Sequence, residues 1–421
     1  MRGLYLKKMP TTPESTPSAA AVAVAATPTA APAQRWRKPA ALATALVDVR
    51  RQTLAVFQAW REALGTPDLA VPYSPERNPP RWELGHIGYF QEYWLGRNSQ
   101  SGRGVLADPF MQRPASRLTG ADTLFDSSRV AHETRWGLPL PGTDRLLAYL
   151  ADTLAQSTDI LAGMPDWGQD PLHGPAYFGW LALVHEMMHL EAARYMLDAL
   201  GLAADPQMPA GPVGRAAAPP IQLPAGTLLM GSGTDRFAFD NELGAHSVQL
   251  QAFEIDAQAV SCAAFAAFVD DGGYQQSRYW TAEGWAWRTK AGLQAPRFWP
   301  GKLWASEAPV CRISAHEAQA WCCWAGRSLP TEAQWEYAAR IAPASFFWGE
   351  VWEWTASAFA PYPGFTAHPY RDYSQPWFGS RRVLRGASFA THPHLVDIRY
   401  RNFFTPERND IHAGFRSCAR A

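Results

Sequence analysis

No apolar run in this chain of 421 residues reaches the roughly 20 residues needed to cross a bilayer. Net charge is also missing. The 38 basic side chains are matched by 38 acidic ones, which leaves no field to attract nucleic acid or an anionic membrane. Cysteine is scarce. Cys262, Cys311, Cys322, Cys323 and Cys418 form no Cys-x-x-Cys pair, and an odd number without a framework fits a reduced, cytoplasmic protein. Nor is there an internal repeat. What the chain has in excess is tryptophan, 19 in all, a residue suited to cores and pocket walls because a large apolar ring carries one donor.

The length predicts two domains, or three at most. Residues 1–35 are rich in Ala, Pro and Thr and read as a disordered tail. Pro10, Pro13, Glu14 and Pro17 separate the apolar Ala19–Ala26 stretch from Lys7 and Lys8, which argues against a targeting segment. Residues 36–201 read as helical. Leu42, Ala45, Leu46, Val49, Leu54 and Phe57 recur at helical spacing within 40–64. Further helices fit 81–97, entered from Pro79-Pro80, then 142–161, and 177–200, stopped by Gly201. Four such helices predict an up-and-down bundle, a fold in which metal sites form from inward-facing side chains. Residues 202–220 read as a linker. From 221 to 421 short apolar runs alternate with Gly, Asp and Asn turns, with one helix expected over 314–325, the pattern of an irregular α+β domain.

The sharpest chemical signal is His185-Glu186-Met187-Met188-His189. Imidazoles four apart share one helix face and can grip a single transition metal. The segment also matches the H-E-x-x-H pattern of zinc proteases, in which the Glu is the general base. The protease reading lacks a third ligand downstream. No His follows at the metzincin spacing, the next Glu after Glu191 is Glu242 beyond the linker, and Asp198 lies too far along the same helix. Upstream, His86 sits mid-helix with Trp82, Tyr89 and Phe90 at three and four spacing. Three neutral imidazoles on one side of an ion leave the other side open, which suits Fe(II) as well as Zn. Glu83, Glu92, Glu186 or Glu191 could instead complete a two-His, one-carboxylate site. On spacing alone, a chance motif and a satisfied core histidine also remain open.

The second half carries six ordered signatures: Gly226-Thr227-Leu228-Leu229-Met230-Gly231, Asp240-Asn241-Glu242, Asp271-Gly272-Gly273-Tyr274, the run from Trp324 to Glu332, Val351-Trp352-Glu353-Trp354-Thr355, and Leu384-Arg385-Gly386-Ala387-Ser388-Phe389. With these it resembles the formylglycine-generating-enzyme-like fold, a C-type-lectin-like module. The first half resembles a DinB-like four-helix bundle carrying His86, His185 and His189. Together they resemble the ergothioneine-type sulfoxide synthases and their relative selenoneine synthase. The module's own formylglycine chemistry is not expected, because only Cys418 lies near the end and no cysteine pair accompanies it.

The resemblance implies Fe(II) held by three His, O2 as co-substrate, and bond formation at C2 of the imidazole of hercynine, or trimethylhistidine. It makes Tyr370 of the Tyr370-Arg371-Asp372-Tyr373 segment the general acid and gives Tyr373 a pocket hydrogen bond. It places Asn402, Phe403 and Phe404 at the hercynine trimethylammonium and carboxylate. Departures from the family pattern bear on the sulfur or selenium donor. Enzymes that use γ-glutamylcysteine carry two arginines three apart before a Leu-Pro-Leu segment. Here Arg129 and Arg135 stand six apart before Leu138-Pro139-Leu140. Phe404 occupies the place of an acidic residue and Met188 the place of a frequent Gln. These changes remove charges a zwitterionic thiol would want, so an uncharged selenosugar is the expected donor and a cysteine-type thiol the alternative. Two other classes stay in competition: a zinc hydrolase and a non-catalytic lectin-like binding protein.

Overall fold

The computed structural model describes residues 38–164, 170–202, 211–299 and 306–420. The expected N-terminal tail falls outside these residues, as do residues 203–210 of the expected linker. No helix among the described residues is long and apolar enough to cross a membrane.

Helix α1 (Pro39–Leu64) begins on proline, whose missing N–H costs nothing in a first turn, and ends at Gly65, which takes a left-handed φ of 64°. Its Leu42, Leu46, Val49, Val56, Phe57 and Trp60 form one buried stripe. Helix α2 (Pro80–Gln91) continues into a π-helical turn over Glu92–Gly96, so the single helix expected over 81–97 is a helix with a widened last turn. After a short α3 (Ala121–Leu124) come α4 (Thr143–Ala162) and α5 (Ala176–Ala199), close to their expected bounds. The four long helices form a ring in which α1 and α2 each pack on both α4 and α5. The successive pairs α1–α2 and α4–α5 stand diagonally, so the expected simple up-and-down order is not adopted. The long connections over 65–79, 92–142 and 163–175 allow the crossings.

Among its described residues the second half holds three small sheets. Strands β1 (Ile221–Leu223), β4 (Phe253–Ile255), β10 (Cys418–Ala419) and β5 (Arg327–Ser328) form one, in that spatial order. Strands β2 (Gly226–Met230) and β3 (His246–Leu250) form an antiparallel pair. The third runs β8 (Asn402–Phe404), β7 (Arg382–Gly386), β6 (Trp352–Ala358), β9 (Ala413–Gly414), with only β6–β9 parallel. The helix expected over 314–325 is α8 (Ala315–Trp324), and three more accompany it: α6 (Cys262–Asp270), α7 (Ala282–Ala291) and α9 (Glu332–Ile341). Ser261, Thr281, Ser314 and Thr331 cap all four through their hydroxyls. Three buried arginine–glutamate pairs, Arg385–Glu336, Arg401–Glu332 and Arg416–Glu353, tie the loops into this α+β core. All five cysteines are free.

Helix α5 is buried on nearly every face because it serves both halves. Met188, Glu191, Tyr195 and Asp198, spaced at three and four, make one stripe toward the second domain. Glu191 Oε1 accepts hydrogen bonds from Trp352 Nε1 (2.7 Å), Ser388 Oγ (2.5 Å) and Thr391 Oγ1 (2.9 Å). His412 Nε2 lies 2.8 Å from Asp198 Oδ2. The neighbouring stripe of α5 carries His185 and His189.

Candidate metal centre

His86 of α2 and His185 and His189 of α5 present ligand nitrogens that all lie within 4.8 Å of one another, the one such cluster among the described residues. His189 Nε2 and His185 Nε2 are 3.1 Å apart. Two adjacent ligands at about 2.1 Å from an ion and at right angles stand about 3.0 Å apart, so this spacing fits neighbouring positions around one metal. The surroundings fix which nitrogen is free. The Phe125 carbonyl can only accept, so the 2.8 Å contact places a proton on His86 Nδ1 and leaves Nε2 bare. His189 Nδ1 in turn donates to the Glu83 carboxylate, which also accepts from Asn78 Nδ2. Asn78 Oδ1 accepts from Arg135 Nη1 at 2.6 Å. A chain Arg135–Asn78–Glu83–His189 thus orients one ligand, the usual arrangement behind a metal-bound imidazole.

Burial sets the protonation states. Desolvation, followed by the nearby His189, pushes His86 down to about 3, and desolvation holds His185 well below its ordinary range. Both are neutral, as metal ligands must be. Burial raises the Glu83 carboxyl, but the charge and hydrogen bond of His189 outweigh it and hold the group at about 2. Exposure is asymmetric. His86 and His185 are buried, whereas His189 keeps 18% of its side chain exposed, on the open side of the cluster.

The four carboxylates left open as alternative ligands are all engaged elsewhere. Glu83 orients His189. Glu92 accepts from Tyr149 Oη (2.7 Å), Ser116 Oγ (2.6 Å) and the Arg117 N–H (2.8 Å). Glu186 accepts two bonds from Arg50, at 2.7 and 3.0 Å. Glu191 holds the second domain. Glu186 is therefore not free to act as the general base of a hydrolase.

Aromatic rings wall the centre. Trp82 stacks on His86 (centroids 4.7 Å, 12°) and also carries the Arg135 guanidinium, 3.8 Å from its ring centroid, and Phe90 stacks on His185 (3.4 Å, 2°). Tyr370, from a loop of the second domain, meets Phe90 edge-on at 4.8 Å, with its ring centroid 6.1 Å from that of His185. Tyr373 stacks on Phe239 (3.9 Å), and its hydroxyl lies 3.0 Å from that of Tyr400 and 3.6 Å from Met188 Sδ. Burial raises both the Tyr370 and Tyr373 phenols above their ordinary value.

The remaining candidate residues divide. Arg129 is exposed and paired with Asp126 at 3.3 Å, while Arg135 is buried, so the two do not converge as a clamp. The Asn402 side chain turns back to accept from the Phe403 N–H. Phe403 stacks on Phe359 at 4.0 Å and reaches Tyr373 at 5.5 Å. Phe404 lies under Arg408, with Cζ 4.8 Å from the ring. Sequence reasoning passed over Tyr400, Phe239, Asn78 and Arg50. The capping-free loop around Asn78 and the isolated Tyr400 offer no local pattern to find them by.

Gly85 precedes His86, and a Cβ there would stand 2.2 Å from Cε1 of the buried Phe125 ring. Helix propensity favours Gly85→Ala by about 1 kcal/mol. Overpacking costs about 1–3 kcal/mol and displaces the loop whose carbonyl orients His86. The expected net result is lower thermal stability together with weaker metal retention, read by a melting curve and a chelator competition.

Residues 45–193 match the DinB superfamily, and residues 209–348 and 345–421 match the Sulfatase-modifying factor enzyme 1-like domain. The hercynine oxygenase of Mycolicibacterium smegmatis is 31% identical over 89% of this chain and 97% of its own. That of Mycobacterium tuberculosis is 31% identical over 90% and 98%. The chain belongs to the hercynine oxygenase family. It is an oxidoreductase built as a DinB-type bundle joined to a formylglycine-generating-enzyme-like domain. The second half alone also matches the formylglycine-generating enzyme of Streptomyces coelicolor, 27% identical over 47% of this chain.

Proposed function

We propose that the three histidines hold Fe(II) and that the enzyme uses O2 to join a selenosugar, through selenium, to C2 of the hercynine imidazole. The observation that carries the metal assignment is the cluster of three histidine ligand nitrogens within 4.8 Å of one another, with its open side at His189. Iron there would supply electron transfer to O2, which zinc does not. Written with a selenoxide product, the reaction balances. The imidazole C2–H and the donor Se–H bonds break, C–Se forms, one oxygen stays on selenium and the other leaves as water.

The protein's part is positioning and proton supply. Stacking on Trp82 and Phe90 fixes the ligand rings and keeps water from their outer faces. Tyr370 borders the same aromatic wall, and its raised pKa keeps a proton available at neutral pH. Tyr370→Phe is expected to slow turnover by about 100-fold or divert the product, while hercynine affinity changes less than twofold. Single-turnover kinetics with product mass analysis check this, and unchanged rate and product would remove Tyr370 from the role.

Selenium is favoured because Arg129 and Arg135, the two arginines expected as a clamp for a zwitterionic thiol, do not converge. Arg129 lies at the surface with Asp126, and Arg135 is engaged by Asn78 and Trp82. Met188 offers sulfur rather than an amide to Tyr373 and Tyr400. The deciding experiment supplies hercynine, Fe(II) and O2 with a selenosugar, its thiosugar analogue, γ-glutamylcysteine and cysteine in competition. A C–Se product in excess supports the assignment, and a γ-glutamylcysteine or cysteine adduct in excess replaces it with an ergothioneine-type sulfoxide synthase. The cytoplasm is the proposed location, on the evidence of five free cysteines.

A further inference from the structure

Tyr370 and Tyr373 come from a strap of chain that runs from His368 to Ser374. Inside it the Arg371 N–H donates to the Pro369 carbonyl (3.0 Å) and the Tyr373 N–H to the Tyr370 carbonyl (3.3 Å). Such turns shape the strap but do not place it. Both of its ends are placed by one side chain. Asp240 Oδ2 accepts from the His368 N–H at 3.3 Å, and Oδ1 accepts from the Ser374 hydroxyl. Asp240, His368 and Ser374 are all buried. The residues on either side of Asp240 join in. Asn241 Nδ2 donates to the Ser374 hydroxyl at 3.0 Å, and Phe239 stacks on Tyr373 at 3.9 Å.

The gripping segment is itself fixed to the second domain. Asp240–Glu242 form one 3-10 turn. The Asn241 carbonyl accepts from Arg401 Nη1 at 2.7 Å, and the Glu242 carbonyl accepts from the Ser232 N–H at 2.7 Å. On the bundle side, His368 Nδ1 lies 3.1 Å from the hydroxyl of Tyr177, which stands on the same helix as His185 and His189. Tyr370 meets the bundle through its ring, edge-on to Phe90 and 6.2 Å from the Trp94 centroid. Ring contacts of that kind slide easily, so the register of Tyr370 is inherited from the strap's ends. A buried carboxylate is costly to leave without donors. The His368 N–H and Ser374 hydroxyl are neutral donors from the strap, and a strap that swung away would withdraw both from the charge.

We propose that Asp240 is a positioning residue for the reaction: by clamping both ends of the 368–374 strap it holds the Tyr370 hydroxyl where its proton can be passed. This rests on the assignment of Tyr370 as proton donor above. Asp240 acts only through the strap. Misplacing a reacting group by about 1 Å can cost about 100-fold in rate, which sets the size of the expected effect.

The test uses the full-length protein and two readouts. Hydrogen exchange followed by mass spectrometry reports the strap without any turnover. Steady-state kinetics use Fe(II)-reconstituted enzyme with hercynine, O2 and the selenosugar, or γ-glutamylcysteine where that is the donor consumed. Asp240→Asn keeps the shape but offers one acceptor oxygen for two ends. It is expected to speed exchange over 368–374 about tenfold or more, with the bundle helices exchanging as in wild type. Its kcat should fall about 100-fold, while KM for hercynine changes less than about threefold. In a Tyr370→Phe background the same substitution should cost less than about twofold in kcat, because the group it positions is already gone. A general loss of stability would instead lower both backgrounds alike. Ser374→Ala, which releases one end and keeps the carboxylate, should repeat the pattern and carries the test if Asp240→Asn fails to fold. A folded variant with wild-type exchange and wild-type kcat overturns the proposal, and so does an equal loss in both backgrounds. If exchange over 368–374 rises while Tyr370→Phe alone turns over at the wild-type rate, the clamp on the strap stands and Tyr370 loses its role as proton donor.

Discussion

His86→Ala is expected to empty the metal centre. Iron content after anaerobic reconstitution should drop from one per chain to below about a tenth, and turnover should become undetectable. Loss of an oriented partner behind a ligand already costs about 10–100-fold in metal affinity, and removal of the ligand itself costs more. The imidazole is placed by three independent contacts: the Phe125 carbonyl, the Trp82 ring and the packing of α2 on α5. No nearby carboxylate is free to replace it, since Glu83, Glu92, Glu186 and Glu191 are each committed. The second domain has its own capped helices and buried Arg385, Arg401 and Arg416 pairs, so its melting transition should persist. Elemental analysis and circular dichroism on the same samples check both parts. Stoichiometric iron in the variant would sink the three-histidine site.

The sequence revealed the bundle because its helices state themselves locally, through Pro79-Pro80 at one start, Gly201 at one end, and apolar residues at three and four. That the three histidines would converge was legible for a similar reason, since His185 and His189 share a helix and His86 sits on an aromatic face. Helix order around the ring was not legible. Local pattern fixes which face of a helix is apolar but says nothing of which helix it meets, and the long connections permitted a crossing. In the second domain three helices were missed although Thr331 and Gln334 spell out a capping box before α9. Dense Trp and Gly hid the period there, and α7 buries only Gly284 and Arg288. Long-range partners were the least legible. Asn78 is bound to Arg135 across a loop, Glu191 to Ser388 and Thr391 across domains, and Arg50 to Glu186 across the bundle, at separations no pattern records.

That last pair gives the second large effect, and it separates the oxygenase from the hydrolase that the H-E-x-x-H segment also allows. Arg50 donates to Glu186 through Nε and Nη2, to the Leu150 carbonyl (2.5 Å) and to Gln91 Oε1 (2.6 Å), with both ion-pair members 2% exposed. Arg50→Met leaves Glu186 as an uncompensated charge in the bundle core and is expected to cost about 3–5 kcal/mol. For a domain of this size that lowers the bundle's melting temperature by roughly 10 °C. Glu186→Gln should destabilise in the same direction by stranding Arg50. Replacing both, as Arg50→Met with Glu186→Met, removes the two charges together, and such apolar exchanges of buried pairs come out near neutral. The double variant should therefore regain most of the stability and, with it, iron and turnover. A hydrolase that used Glu186 as its base could not recover in that way, because the proton acceptor would still be missing. Calorimetric melting and activity measured across the two single variants and the double one form the full cycle. Recovery of activity along with stability assigns Glu186 to holding α5 in register on α1, so that His185 and His189 face α2. Recovery of stability without activity returns the glutamate to the chemistry.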